Sequence, residues 1–247
     1  MNVKTAKRSM INRIIAVAVW ILIWQLLALV INKKVLLPGP ADTLRALFGM
    51  FGNEDFLKSV GATTIRILLG FFLGLVLGIV LAYAANLKPL LDEFLKPPVL
   101  ALKSVPVASF VILLLIWFGS SNISIIICSM VVFPILYLST LEGQRSTDKK
   151  LLEMAKVFRM PGTRMVRFIL LPNLKPFWKS AFKLAVGMSF KSGIAAEVIG
   201  QPLHTIGNGL YLSKVYLETA ELFSWTIVVV FIAFVCEKII GFLVDRI

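Results

Sequence analysis

The sequence has few of the residues on which metal and redox chemistry depend, with one histidine and two cysteines among 247 residues. His204 has no second histidine or carboxylate at ligand spacing, so we expect a surface-loop histidine and predict no metal site. Cys128 and Cys236 lie within apolar runs, without a CxxC pattern or a histidine partner. They are interpreted as small hydrophobic residues in lipid or helix contacts.

Catalytic and nucleotide-binding motifs are also missing. The chain has no Walker A sequence, no Ser/His/Asp arrangement and no paired carboxylates on a recognisable scaffold. We therefore expect neither enzyme activity nor a cofactor. If the chain moves a solute uphill, the free energy must come from a partner protein or an ion gradient.

What the sequence has in excess is apolar residues, at 58% of the chain, with a mean hydropathy of +0.89. Such values indicate an integral membrane protein rather than a soluble domain. The net charge of +13 raises the question of nucleic-acid binding. However, the basic residues gather beside apolar runs and form no basic face interleaved with aromatics, so no nucleic-acid partner is predicted.

Long apolar runs predict an all-α, polytopic membrane protein, because a bilayer core of about 30 Å needs about 20 apolar helical residues. We expect one membrane domain over 14–247, behind a cytoplasmic amino terminus at 1–13. No small-x-small cleavage site follows the first run, so it is expected to stay as an anchor. The predicted spans, about six in number, are 14–31, 64–84, 98–118, 123–141, 177–199 and 223–243.

The distribution of charge predicts the orientation in the cell membrane. The 142–176 loop is strongly basic, whereas the 200–222 loop has Lys214 as its one lysine or arginine. By the positive-inside rule the former is cytoplasmic, as is the amino terminus, and the latter is external. The 32–63 loop should form a short helix from Ala41 or Asp42, and 85–97 should form a cytoplasmic turn.

Small residues recur every four positions in the second predicted span, at Gly70, Gly74 and Gly78. This spacing places them on one helical face, where another helix can approach closely. Whether that partner helix belongs to the same chain or to a second copy stays open.

Several ionisable residues lie at predicted membrane depth, where each costs about 2.5–3.5 kcal/mol on insertion scales. Lys191 and Glu197 are six residues apart, about 240° around a helix, so each needs a partner on another span. Arg66 is a candidate partner for Glu197. The alternatives are a translocation pathway and structural ion pairs, and the residues concerned are Arg66, Ser189, Lys191 and Glu197.

The 142–176 loop is too large and too patterned for a simple turn. Ser146 or Thr147 is positioned to cap a first amphipathic helix, which should end near Phe158. Pro161-Gly162 predicts a turn, after which Thr163 is positioned to cap a second helix. A helix-turn-helix segment of this kind is typical of a docking surface.

Residues 153–172, EMAKVFRMPGTRMVRFILLP, resemble the EAA loop of type I ATP-binding-cassette importer permeases. That pattern is Glu-Ala-Ala, three residues, Gly, nine residues, Ile, one residue, Leu-Pro. Its spacing is intact, with Met154 as the middle residue of Glu-Ala-Ala and Arg159 in place of Gly, so that Pro161-Gly162 is expected to supply the break. The matched positions are Glu153, Ala155, Arg159, Ile169, Leu171 and Pro172.

The resemblance extends over about residues 35–243. The fragments LPGPADTLRAL, TTIRILLGF, KPLLDEFLKPPVLALKSVP and AAEVIG are similar to the nitrate, sulfonate and taurine branch of these permeases. It implies two permease subunits, each with its loop seated on a cytoplasmic ATPase, fed by an external binding protein and working by alternating access. Within the loop, Glu153, Ala155, Arg159 and Gly162 would transmit force, with Phe158 and Met160 in the ATPase groove.

The implied solute is a small anion such as nitrate, a sulfonate or taurine, and the alternative is a vitamin-like heterocycle such as a pyrimidine precursor. The resemblance leaves open whether the two permease copies are identical or related. Outside this family, the rivals are a secondary transporter driven by an ion gradient through Arg66, Lys191 and Glu197, and a membrane scaffold whose loop recruits a soluble partner.

Overall fold

The computed structural model describes residues 3–246, and side chains within that range at residue 12 and at 14–246. The predicted cytoplasmic segment 1–13 falls mostly outside the described side chains. Within this range every regular element is helical, which confirms the all-α fold. The helices are α1 (Val3–Ile31), α2 (Pro40–Met50), α3 (Glu54–Leu87), α4 (Pro89–Ser104), α5 (Val107–Phe118), α6 (Ile123–Arg145), α7 (Lys149–Val157), α8 (Gly162–Met165), a π-helical turn (Val166–Leu170), α9 (Leu171–Gly200), α10 (Ile206–Val215) and α11 (Thr219–Arg246).

Four of the described helices are long and apolar enough to cross a membrane, namely α1 through its part Ile14–Ile31, α3, α6 and α11. The bent pair α4 and α5 makes a fifth if it forms one span. The chain is therefore a multi-pass membrane protein. α9 has the length of a span, at 30 residues. However, it carries four lysines and Glu197, so it is less apolar than the four helices above.

The predicted span 98–118 is not one continuous helix. α4 begins at Pro89, inside the predicted 85–97 turn, and α5 leaves it at an angle of 106°. The break lies at Val105, whose backbone is extended with φ −77° and ψ 134°. Pro106 follows it, and a proline disfavours helical geometry in the preceding residue. Pro97, at the end of the predicted turn, and Pro98 both lie inside α4.

The core is built where α3 crosses α6. A Cβ atom added to Gly74 would lie 2.7 Å from the Ser129 carbonyl oxygen, and one added to Gly78 would lie 3.0 Å from the Leu136 Cβ. Gly70 is equally tight against α6. The glycine stripe thus packs against a helix of the same chain. Next to this contact, α3, α6, α9 and α11 share a buried apolar cluster that includes Ile67, Phe71, Val132, Phe182, Val186, Phe190 and Ile240.

The predicted helix in the 32–63 loop is present as α2, which begins at Pro40 and packs on α11. Its Thr43 and Leu47 are buried, and the Ser224 hydroxyl of α11 donates a 2.9 Å hydrogen bond to the Thr43 carbonyl. Phe48 on the opposite face is exposed. α10, by contrast, was not predicted, because the 200–222 segment has neither the length nor the continuous apolar run of a span.

We predict that Gly74→Leu lowers the yield and thermal stability of the detergent-purified protein. The added side chain would enter space held by the α6 backbone, and overpacking of this kind typically costs about 1–3 kcal/mol. Gly241→Leu is the matched control, because nothing lies within 4 Å of a Cβ at that position in α11. Equal melting temperatures for the two variants in a size-exclusion stability assay would contradict the close packing of α3 on α6.

Candidate functional site

The 142–176 loop leaves α6 and enters α9 through two short helices and a π-helical turn. Asp148 caps α7, its carboxylate accepting a 2.9 Å hydrogen bond from the Lys150 amide. The predicted caps at Ser146 and Thr147 are wrong, because both hydroxyls donate to the Gly143 carbonyl instead. Thr163 lies inside α8, whose N-cap position is taken by Pro161.

α7 ends in a complete Schellman motif. The Met160 amide donates to the Ala155 carbonyl at 2.8 Å, and the Arg159 amide donates to the Lys156 carbonyl at 3.0 Å. Arg159 has φ +49°, in the left-handed region that favours glycine. The EAA pattern places Gly at this position, and the positive φ explains why glycine is preferred there. The helix therefore breaks at Arg159, and the expectation that Pro161-Gly162 supplies the break is corrected.

The free end of α7 presents apolar side chains to the exterior. Val157 and Phe158 are 79% and 76% exposed, and Met154 and Glu153 are also exposed. Ala155 points inward and is buried. Large apolar side chains exposed together on a polar loop are typical of a contact surface. Met160, the second predicted contact residue, follows Phe158 by two residues and is half-buried.

Asn173 closes the base of the loop. Its side-chain amide donates to the Gly143 carbonyl at 2.8 Å, to the Thr147 hydroxyl at 2.9 Å and to the Ser146 hydroxyl at 3.1 Å. The first turn of α9 is thereby tied to the last turn of α6. Among the motif residues around it, Ile169 is buried, Leu171 is half-buried and Pro172 is exposed. The role of Asn173 was not predicted. The one signal for it in the sequence is a polar residue directly after the Leu-Pro of the motif.

Glu197, wholly buried near the end of α9, holds the amino terminus of α10. Its Oε2 accepts a 2.8 Å hydrogen bond from the Thr63 hydroxyl and a 3.3 Å bond from the Gly207 amide. Thr63 Oγ1 in turn accepts from the Ile206 amide at 2.9 Å. A carboxylate at a helix amino terminus also interacts favourably with the helix dipole. This carboxylate therefore joins α3, α9 and α10.

The predicted pairing of Arg66 with Glu197 is wrong. Among the described residues, no ion pair within 4.0 Å includes either side chain. The buried Nη1 of Arg66 and the buried Oε1 of Glu197 each lack a hydrogen-bond partner in the described part of the chain. The carboxylate is held instead by two neutral donors on its other oxygen, the Thr63 hydroxyl and the Gly207 amide.

The four predicted pathway residues do not converge on one surface. Ser189 is buried, with its hydroxyl bonded to the Val186 carbonyl at 2.8 Å, and Glu197 is buried on the same inner side of α9. Lys191 is exposed on the opposite side. It shares an exposed stripe with Lys183, Gly187 and Ala195, which are spaced by four residues and so follow one helical face. This stripe is called the α9 face below.

Comparison with known proteins decides the family. Residues 74–247 match the family described as binding-protein-dependent transport system inner membrane component. The chain belongs to this family. The permease is 25% identical over 231 residues to the taurine transport system permease protein TauC of Escherichia coli strain K12, a match that covers 90% of this chain and 82% of TauC.

Two further matches support the same family. An SsuC of Bacillus subtilis strain 168, named as an aliphatic sulfonates transport permease, is 25% identical over 213 residues, covering 85% of this chain and 77% of that protein. In the crystal structure of an amino acid ABC transporter with histidines, one chain superposes with a TM-score of 0.63. It is 14% identical, with 78% of this chain and 94% of that chain covered, which shows a shared fold.

The matches confirm the predicted importer permease and its likeness to the sulfonate and taurine branch. The permease is a membrane subunit of an ATP-binding-cassette importer. Within it, the structure provides a projecting helix on a braced loop and a charged face on α9.

We predict that Arg159→Gly stabilises the end of α7. A non-glycine residue in the left-handed region costs about 1–2 kcal/mol, so relief of that cost should slow hydrogen exchange of the 155–160 amides by about fivefold or more. Arg164→Gly, inside α8, is the matched control and should speed exchange in its own segment. Faster exchange at 155–160 in Arg159→Gly would contradict the strained cap.

Proposed function

We propose that α7 of the 142–176 loop docks in a groove on a separate cytoplasmic ATPase, which drives the permease. The observation that carries this proposal is the projecting apolar end of α7 at Val157 and Phe158, on a loop braced at its base by Asn173. A free apolar helix end outside the spans needs a protein partner, and a braced helix can pass displacement to the spans. Alternatives without a partner give these side chains no role.

The same loop supports a cytoplasmic amino terminus in the cell membrane. Its positive charge favours the inner side. The described external candidate, the 200–222 segment, holds α10 and a cavity of about 610 Å³ whose lining includes Asp55, Glu218 and Glu221. Basic residues are therefore concentrated in the loop, whereas carboxylates line the cavity at the other end of the molecule. An external solute-binding protein would deliver the solute at the second end.

A second copy of the permease is proposed to cover the α9 face. Lys191 is exposed near the middle of α9, between Lys183 and Glu197, and a lysine facing lipid there would cost about 2.5–3.5 kcal/mol. Gly187, on the same face, has nothing within 4 Å of a Cβ position. Both features fit a water-lined path between two subunits better than lipid. Two identical subunits would place two such lysines across the path.

The solute proposed for this path is a small anion of the nitrate, sulfonate or taurine class. A pair of lysines at membrane depth favours negative charge in the path. The relatives named for taurine and for aliphatic sulfonates transport agree with this choice. A vitamin-like heterocycle, such as a pyrimidine precursor, is the alternative solute, and it would not need the Lys191 charge.

Transport would proceed by alternating access. ATP-driven closure of the ATPase dimer brings the two loops together, and the hydrogen bonds of Asn173 make the ends of α6 and α9 follow. Because α3 is packed tightly on α6 through its glycines, these helices rotate as one body and open the path outward. Hydrolysis then resets the loops. Glu153 and Ala155 act here through the docking of α7, without chemistry of their own.

We predict that Glu153→Lys reduces solute uptake by about 10-fold or more, a size usual for the loss of coupling between two sites. Glu153 is exposed on α7, so membrane insertion and yield should stay unchanged while less ATPase co-purifies. Glu142→Lys makes the same charge change at an exposed position in α6, off the docking helix, and serves as the control. Normal uptake and ATPase recovery in Glu153→Lys would overturn the docking proposal.

For the anion pathway we predict that Lys191→Gln abolishes most uptake of radiolabelled taurine in cells that depend on this transporter, whereas Lys191→Arg retains it. Lys191→Gln removes the positive charge and keeps most of the side-chain length. Lys183→Gln, one end of the same exposed face, should retain at least half of the uptake. Unchanged taurine uptake in Lys191→Gln would contradict the pathway role, and a wild type that imports no taurine or alkanesulfonate would favour the heterocycle.

A further inference from the structure

A buried carboxylate lies at the same end of the molecule as the loop and has no role in docking. Asp92, in the first turn of α4, is 6% exposed. Its Oδ2 lies 2.7 Å from Nη2 of Arg145, and its Oδ1 accepts a 3.4 Å hydrogen bond from the Tyr137 hydroxyl. Arg145 and Tyr137 both belong to α6. The carboxylate thus joins α4 to the carboxyl-terminal part of α6.

The two helix ends suit this ion pair. Asp92 stands at the amino terminus of α4 and Arg145 at the carboxyl terminus of α6, so each charge also complements the dipole of its own helix. Arg145 lies three residues before Asp148, which caps α7. The joint between α6 and the docking helix is therefore the place where α4 is attached.

α4 also packs on α3 and α6 through Leu95 and Val99, which share an apolar cluster with Ala82, Tyr137 and Leu141. Of its residues, only Asp92 and Val99 are buried, and Leu90, Phe94 and Leu100 are exposed. The Asp92 carboxylate also lies 3.3 Å from Nζ of Lys96, but that ion pair is within α4 and links no other element. Among the described residues, Asp92 is therefore the polar attachment of α4 to α6, through Arg145 at 2.7 Å and, more weakly, through Tyr137 at 3.4 Å.

α4 leads on to the translocation side of the molecule. It continues through the 106° bend into α5. Val111 and Leu114 of α5 share a buried cluster with Ile123 and Ile127 of α6 and with Ala196 of α9. Ala196 lies five residues after Lys191 in the same helix. A continuous set of contacts thus leads from the loop, through α4 and α5, to α9.

We propose that the Arg145–Asp92 ion pair is a mechanical link that makes the bent pair α4–α5 follow the loop during the transport cycle. Arg145 and Asp92 are positioning residues, since neither needs to contact solute or nucleotide. The inference rests on the proposed docking of the loop on an ATPase. It goes beyond that docking by naming the contact that carries displacement from the loop to the bent span.

The test is the ratio of solute imported to ATP hydrolysed, measured with the complete transporter, its ATPase and binding protein included, in proteoliposomes. Asp92→Asn and Arg145→Gln should lower this ratio by about fivefold or more while ATP hydrolysis continues, because docking of α7 is intact. Arg145→Lys restores a cation and should recover much of the ratio. Lys96→Gln removes the ion pair within α4 and should leave the ratio within about twofold of the wild type.

A merely structural role predicts a different pattern, in which uptake and hydrolysis fall together with the amount of assembled complex. That pattern, or an unchanged ratio in Asp92→Asn, would overturn the link. The wild-type preparation reads the proposed function separately. If no ATPase co-purifies with the wild type, the docking proposal fails. If an ATPase co-purifies and the Asp92→Asn variant has a normal ratio, the proposed link fails and the docking proposal stands.

Spin labels keep the proposal testable if these variants do not assemble. Leu90→Cys and Lys149→Cys place labels on exposed positions of α4 and α7, in a background where the buried Cys128 and Cys236 are replaced by alanine. The link predicts that the distance between the two labels stays constant between ATP-free and ATP-bound transporter. A distance that changes while the label on α7 approaches its counterpart in the second copy would overturn it.

Discussion

The close approach of α3 to α6 is the constraint on which the rest of the structure depends. With no side chain at Gly70, Gly74 and Gly78, the α3 backbone lies against α6, and Ile67 and Phe71 enter the core that α6 shares with α9. In a bilayer, where burial between helices has no hydrophobic drive, such contact by small residues is a principal source of stability. Because α6 and α9 flank the 142–176 loop, their firm packing gives the docking helix a rigid base.

Helix termini hold the buried carboxylates of the permease. Glu197 accepts hydrogen bonds from the Thr63 hydroxyl of α3 and from the Gly207 amide at the start of α10, and Asp92 stands at the start of α4 and meets a cation at the end of α6. Both arrangements join helices that are far apart in the sequence. A buried charge is costly in an apolar protein, but here each carboxylate forms a specific contact that holds helices together. One such contact orders the end of the molecule that holds α10, and the other lies beside the loop.

Sequence patterns were sufficient for elements whose cause is local. The apolar runs predicted the long helices, the four-residue glycine spacing predicted a close helix contact, and the EAA spacing predicted the family. Predictions from the sequence failed where a residue distant in the sequence determines the role of a side chain. Asn173 acquires its role from carbonyl and hydroxyl groups of α6, and Thr63, not Arg66, reaches Glu197. The bend at Pro106 was missed because four prolines in 89–106 compete as breakers, and packing selects among them.

The central claim is that Phe158 at the end of α7 contacts a cytoplasmic ATPase. The most direct measurement places a photo-crosslinking phenylalanine at Phe158 in the native membrane and identifies the ultraviolet-dependent adducts by mass spectrometry. A second position, Val30 on the exposed face of α1, reports contacts in lipid. The account predicts an adduct with a soluble ATP-binding-cassette subunit from Phe158 and none from Val30. Lipid adducts at both positions, or no ATPase at either, would contradict it.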